Sequence, residues 1–100
     1  MVKVWVGVLR VRLRLPGART LKDRRRVVLS LRDRAVARFA LCAAETGDLE
    51  NPQMASLAFS AVSADAGQVR ERLASVRSVC ELLADAMLVE ADVTVLGVGE

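Results

Sequence analysis

Residues 3–15 alternate, and no other feature of the chain limits its fold as much. Trp5, Gly7, Leu9, Val11, Leu13 and Leu15 fall on one side, and Val4, Val6, Val8, Arg10, Arg12 and Arg14 on the other. A period of two with this much valine specifies a β-strand. The odd side is apolar throughout and is expected to meet a core. The even side changes midway from valine to arginine, so one strand carries a packing half and a charged half. Pro16-Gly17 ends it in a turn.

The period then switches. Thr20 reads as a helix N-cap, with Asp23 three residues on as a short capping-box partner. A helix is expected from there to about Ala37, with Leu21, Val28, Leu31 and Ala35 as its apolar stripe and Val27 and Val36 widening it. Phe39, Leu41 and Ala43 alternate with Ala40, Cys42 and Ala44, which predicts a second strand over about 39–46. GDLENPQ, from Gly47 to Gln53, is a turn-rich acidic connection. Ala55–Val62 reads as a third strand with Leu57, Phe59 and Ala61 inward. Asp65 then caps a second helix, with Gln68 closing the box and Val69, Leu73, Val76, Cys80 and Leu83 as the stripe. Residues 87–96 form a last strand, with Val89, Ala91, Val93 and Val95 inward and Glu90, Asp92 and Thr94 outward.

The resulting order is β-α-β-β-α-β. Two right-handed crossover units sharing a hairpin give an α+β, ferredoxin-like sandwich: a four-stranded antiparallel sheet, order 4-1-3-2, with both helices on one face. A chain of 100 residues makes one such domain, residues 1–100. The last strand should then run antiparallel beside the first, bringing Glu90 and Asp92 near Arg10, Arg12 and Arg14 on the helix-free face.

Charge is distributed unevenly along this frame. Residues 1–40 hold twelve cations against two acids, and residues 41–100 hold three against ten. The net +3 conceals that split. Segregation of this kind suits a polyanionic partner. Arg19, Lys22, Arg24, Arg25 and Arg26 crowd the start of the first helix, where the macrodipole is itself positive and cations are unfavourable by roughly 0.3–1 kcal/mol each. A docked phosphate would be served by the backbone donors, the dipole and the guanidinium forks together. The competing account is a solvated face of good helix-forming residues.

The string VLRVRLRLPGARTLKDRRRVVLSLRDR closely resembles the opening of the YlxP-like family, small bacterial domains of unknown function. In that family a strand ends in a Pro-Gly-Ala-Arg-Ser/Thr-Leu-Lys turn, followed by a helix with clustered Lys and Arg. The matching residues are Pro16, Gly17, Ala18, Arg19, Thr20, Leu21, Lys22, Arg24, Arg25 and Arg26. Ala44-Glu45 with Gly47, and Val62-Ser63 with Asp65, resemble weaker later landmarks. The hairpin departs from the family pattern, having GDLENPQMAS where the family tends to carry a Trp and charged residues. The resemblance implies a ferredoxin-like fold and, because the family's genes often neighbour those for translation initiation and ribosome-binding factors, a role beside the ribosome. It implies no catalytic residue.

The expectation is a cytoplasmic, non-catalytic protein. It would contact ribosomal RNA or a ribosomal subunit through Arg19, Lys22, Arg24, Arg25 and Arg26, with Arg10, Arg12 and Arg14 as auxiliary charge. The outer sheet face lacks the aromatic pairs that stack bases, so phosphates rather than bases would be read. A second reading is a homodimeric interaction module. The outer face of Val4, Val6, Val8, Ala40, Cys42, Ala44, Ala58, Ser60, Val62 and Leu96 is small and apolar, and two sheets stacked on it would bury Val4, Val6, Val8, Cys42, Ala58 and Val62. A third is an acylphosphatase-like enzyme with RLPGART as its phosphate loop. That loop lacks the glycine-rich pattern, and Asn51, the one asparagine, lies in the hairpin connection rather than on a strand. With no His and two distant cysteines, no metal site and no cofactor are expected. No run of about 18 apolar residues is present to span a membrane.

Overall fold

The structure, a computed structural model, describes residues 3–99. Six elements follow one another: β1 Val4–Arg14, α1 Leu21–Phe39, β2 Cys42–Gly47, β3 Met54–Ser63, α2 Ala66–Glu81 and β4 Met87–Val98. The four strands form one antiparallel sheet in the order β2-β3-β1-β4, the ferredoxin-like arrangement that the alternation and crossovers predict. β1 is therefore interior, paired to β3 along one side and β4 along the other.

The odd side of β1 supplies the core. Leu9, Val11, Leu13 and Leu15 are buried against Leu57 and Phe59 of β3, Val28, Leu31 and Ala35 of α1, and Val69, Leu73, Val76 and Cys80 of α2. Burial pushes the Cys80 thiol up to about 11. Gly7 is where α2 comes closest to the sheet. A β-carbon there would collide with the Val69 side chain and lie 2.7 Å from Leu73 Cδ1. The glycine thus sets the helix-to-sheet spacing by having no side chain. Trp5 is half-buried at the end of the core, with its ring across the strand from Gly97, whose missing side chain leaves room for it.

Several local expectations are corrected. Phe39 is the last residue of α1 rather than the first of a strand. Ala40 follows in the left-handed region at φ 51°, and the chain turns there into β2, so Ala40 lies outside the sheet face. Leu21 is in phase with the inward stripe of Arg24, Val28, Leu31 and Ala35, but as the first residue of α1 it lies one turn beyond the buried positions and is exposed. Val36 is exposed as well. In β4 the pairing slips between Arg12 and Leu13, so Glu90 faces Arg12 but Leu88 faces Leu13. Val89 is the extra residue of this bulge, and the slip moves the inward position from Val89 to Leu88. At α2, Asp65 caps the helix by accepting from the Gly67 amide at 2.7 Å. Gln68 does not close a box, because the Asp65 amide donates to Ser63 Oγ, whose hydroxyl in turn reaches Gln68 Oε1.

Candidate functional site

The eight cations that the sequence places at the strand–turn–helix junction separate into two groups once their partners are known. Arg10 faces Asp92 across the β1–β4 ladder and donates to it twice, at 3.0 and 2.8 Å. Arg12 faces Glu90 in register but reaches the other way. Across Ser56 of β3 it donates from Nε and Nη2 to Asp48 at 3.1 and 3.2 Å. Ser56 donates its hydroxyl to the same carboxylate. Asp48 lies just past β2 with a positive φ of 61°. Arg12, followed by Ser56, holds its carboxyl below the ordinary 3.8.

Arg24 departs most from expectation. Its residue surface is 4% exposed, the only charged group among the described residues to be buried. It occupies an inward position of α1, where Nε donates to the Met54 carbonyl and Nη1 to Glu45 Oε1, each at 2.8 Å. Glu45 lies opposite Leu57, on the core-facing side of edge strand β2. An ion pair therefore closes a corner of the core where Leu21 was expected to help. Arg24 is not available to a partner in solution, and it leaves the set of candidate phosphate contacts.

Arg14, Arg19, Lys22, Arg25 and Arg26 form the second group. All five are exposed, and none has a salt-bridging acid among the described residues. Lys22, Arg25 and Arg26 are spaced i, i+3, i+4 on α1, so they share the face of the helix turned away from the core. Arg14 ends β1, and Arg19 closes the turn between. That turn is fixed: Leu15 N donates to the Gln53 carbonyl and Ala18 N to the Leu15 carbonyl.

The helix start is already partly neutralised. Thr20 and Asp23 form the full capping box. The Asp23 carboxylate accepts from the amides of Arg19 and Thr20, and the Arg19 amide in particular holds its carboxyl below 3.8. An anion arriving here meets side-chain cations around a helix end that has its own acid. The neighbouring cleft, about 420 Å³ between the Pro16–Ala18 turn and residues 84–87, sets Asp23 and Asp85 against the single Arg26. Its walls do not favour a small anion, and of the five exposed cations only Arg26 lines it.

The helix-free sheet face is divided. Val4, Val62, Leu96, Val98 and Cys42 are exposed at one end, with Val6, Val8 and Ala58 half-buried among them. The other end carries the Arg10–Asp92 and Arg12–Asp48 pairs. Asn51 lies in the hairpin and accepts from the Gln53 amide. Among the described residues no His/Cys/Asp/Glu cluster could hold a metal, and no helix is long and apolar enough to cross a membrane.

Sequence reasoning missed Glu45 and Asp48, the two acids that neutralise Arg24 and Arg12. The usable signal was the register of the β2–β3 hairpin, which places Glu45 beside Leu57 and Gly47 beside Ser56. No match to the chain was found among curated proteins. One family pattern, described as a protein of unknown function (DUF503), matches residues 6–93, from within β1 to within β4, and the chain belongs to that family.

Proposed function

We propose that this protein binds nucleic acid through phosphate contacts made by Arg14, Arg19, Lys22, Arg25 and Arg26, and that its partner is ribosomal RNA or a ribosomal subunit. The observation that carries this reading is the sorting of the arginines. Arg10, Arg12 and Arg24 are consumed by acids of the same chain, whereas these five cations stand exposed without one around a rigid strand–turn–helix junction. An extended polyanion fits a cluster of exposed cations better than a small ligand does, since the adjacent cleft is lined by two acids. The YlxP-like opening, PGARTLK followed by the arginine run, supports the ribosomal setting. The chemistry is non-catalytic binding with little sequence preference.

The test is co-sedimentation with purified ribosomal subunits across a salt titration, comparing the native chain with the Lys22→Ala/Arg25→Ala/Arg26→Ala variant. Each lost phosphate contact lowers the slope of log K against log salt by about 0.7–0.9, so the variant should bind with a slope smaller by roughly 2–3. All three residues are exposed, so the thermal melt should not move. An unchanged slope in a folded variant overturns the assignment.

A further inference from the structure

The two edges of the sheet are protected very differently. β2 is six residues long and slips in register between Glu45 and Gly47, a short, irregular edge that resists further pairing. β4 is twelve residues long, has no Pro, Lys or Arg, and is bulged only near its start. Its outward N–H and C=O groups have no neighbouring strand among the described residues. Met87, Val89, Val93, Leu96 and Val98, five of the eleven large apolar residues left exposed, lie on this one strand.

Their directions matter more than their number. Val93 lies opposite Leu9 and so is on the helix side of the sheet, yet it is 43% exposed. Leu96 lies opposite Val6 and so is on the helix-free side, and it is 61% exposed. A partner stacked on the open face would cover Leu96 and leave Val93 wet, and one on the helix side would do the reverse. Only continuation of the sheet beyond β4 shelters both.

We infer that β4 pairs antiparallel with β4 of a second copy about a two-fold axis at Val93, giving a continuous eight-stranded sheet. Charge and overlap set the register together, Val93 being the centre nearest the middle of the strand at which no like charges meet. An axis at Asp92 would oppose Asp92 to itself, and one at Ala91 would oppose Glu90 to Asp92. An axis at Val93 sets Glu90 against Leu96, Ala91 against Val95, Asp92 against Thr94, and Val93 against its own copy. No like charges then meet. A self-complementary strand is what a two-fold contact requires. This inference does not depend on nucleic-acid binding.

Sedimentation equilibrium of the full chain tests it. The native protein should be a dimer. Val93→Lys opposes two lysines at the axis and should raise the dissociation constant at least about tenfold. Leu96→Lys places a cation opposite Glu90 of the second copy and should leave the dimer intact. Backbone amide exchange gives a readout free of substitution, since protection over residues 90–96 should increase with protein concentration. A monomeric native chain, or protection independent of concentration, overturns the inference. So does a dimer that survives Val93→Lys and is lost with Leu96→Lys, which would place the contact on the open face.

Discussion

Glu45→Ala should destabilise the fold more than Arg24→Met, although Arg24 is the more buried of the two. Arg24 is 4% exposed and donates one hydrogen bond to the Glu45 carboxylate and one to the Met54 carbonyl. Removing Glu45 leaves a guanidinium inside the core with a single neutral acceptor. Stripping one partner from a fully buried pair costs about 3–5 kcal/mol. The Glu45 side chain is 30% exposed, so the pair is partly solvated and the cost falls to about 2–3 kcal/mol. Arg24→Met removes the buried charge itself, fills much of the same space with an apolar chain, and lets Glu45 turn to water. Its cost is the lost donor to the Met54 carbonyl, about 1–2 kcal/mol. The double variant should be no worse than Arg24→Met alone, a coupling of about 2 kcal/mol. Thermal and urea unfolding of the four proteins at neutral pH measure this. For a domain of this size Glu45→Ala should lower Tm by roughly 8–20 °C. Additive effects, or Glu45→Ala within about 0.5 kcal/mol of the native chain, would refute the pairing as a core element. Alanine substitution of Arg24, Arg25 and Arg26 together would break the buried pair with Glu45 as well as remove exposed charge, so it should lower stability and binding at once.

Two other outcomes follow from the packing and the ion pairs. Gly7→Ala should cost roughly 1–3 kcal/mol, since the new methyl meets Val69 and Leu73 and α2 must lift from β1; a denaturation midpoint unmoved by the change would show that the helix has slack. Asp48 titrates lower in the folded chain than its ordinary 3.8, so the stability it confers is full above that value and lost as pH falls through the folded value. Asp48→Asn should therefore lower the urea midpoint at neutral pH and make little difference near pH 2, and an equal shift at both would disprove the linkage.

The architecture was legible because β1 states its period over a dozen residues and its odd side is apolar without exception. The helices were legible for a similar reason: Val28, Leu31 and Ala35, and Val69, Leu73, Val76 and Cys80, recur at helical spacing and are all buried. Errors arose where one residue changes parity. The bulge at Val89 exchanges the two sides of β4, and no local pattern marks it, since Leu88 and Val89 are equally apolar. The junction at Phe39–Leu41 misled because the alternating apolar residues also suit a helix end, and a left-handed alanine carries no glycine to signal the turn. At the candidate site, exposure could be read for Lys22, Arg25 and Arg26. The burial of Arg24 could not, because it depends on Glu45 arriving from the edge strand β2.

The turn that bears Arg19 hangs from an interior strand of the sheet and is stitched to Gln53 just before the other. Whatever docks beside it finds its footing already built. Encounter should then be governed by long-range attraction between unlike charges rather than by a slow rearrangement, so salt should act chiefly by slowing arrival.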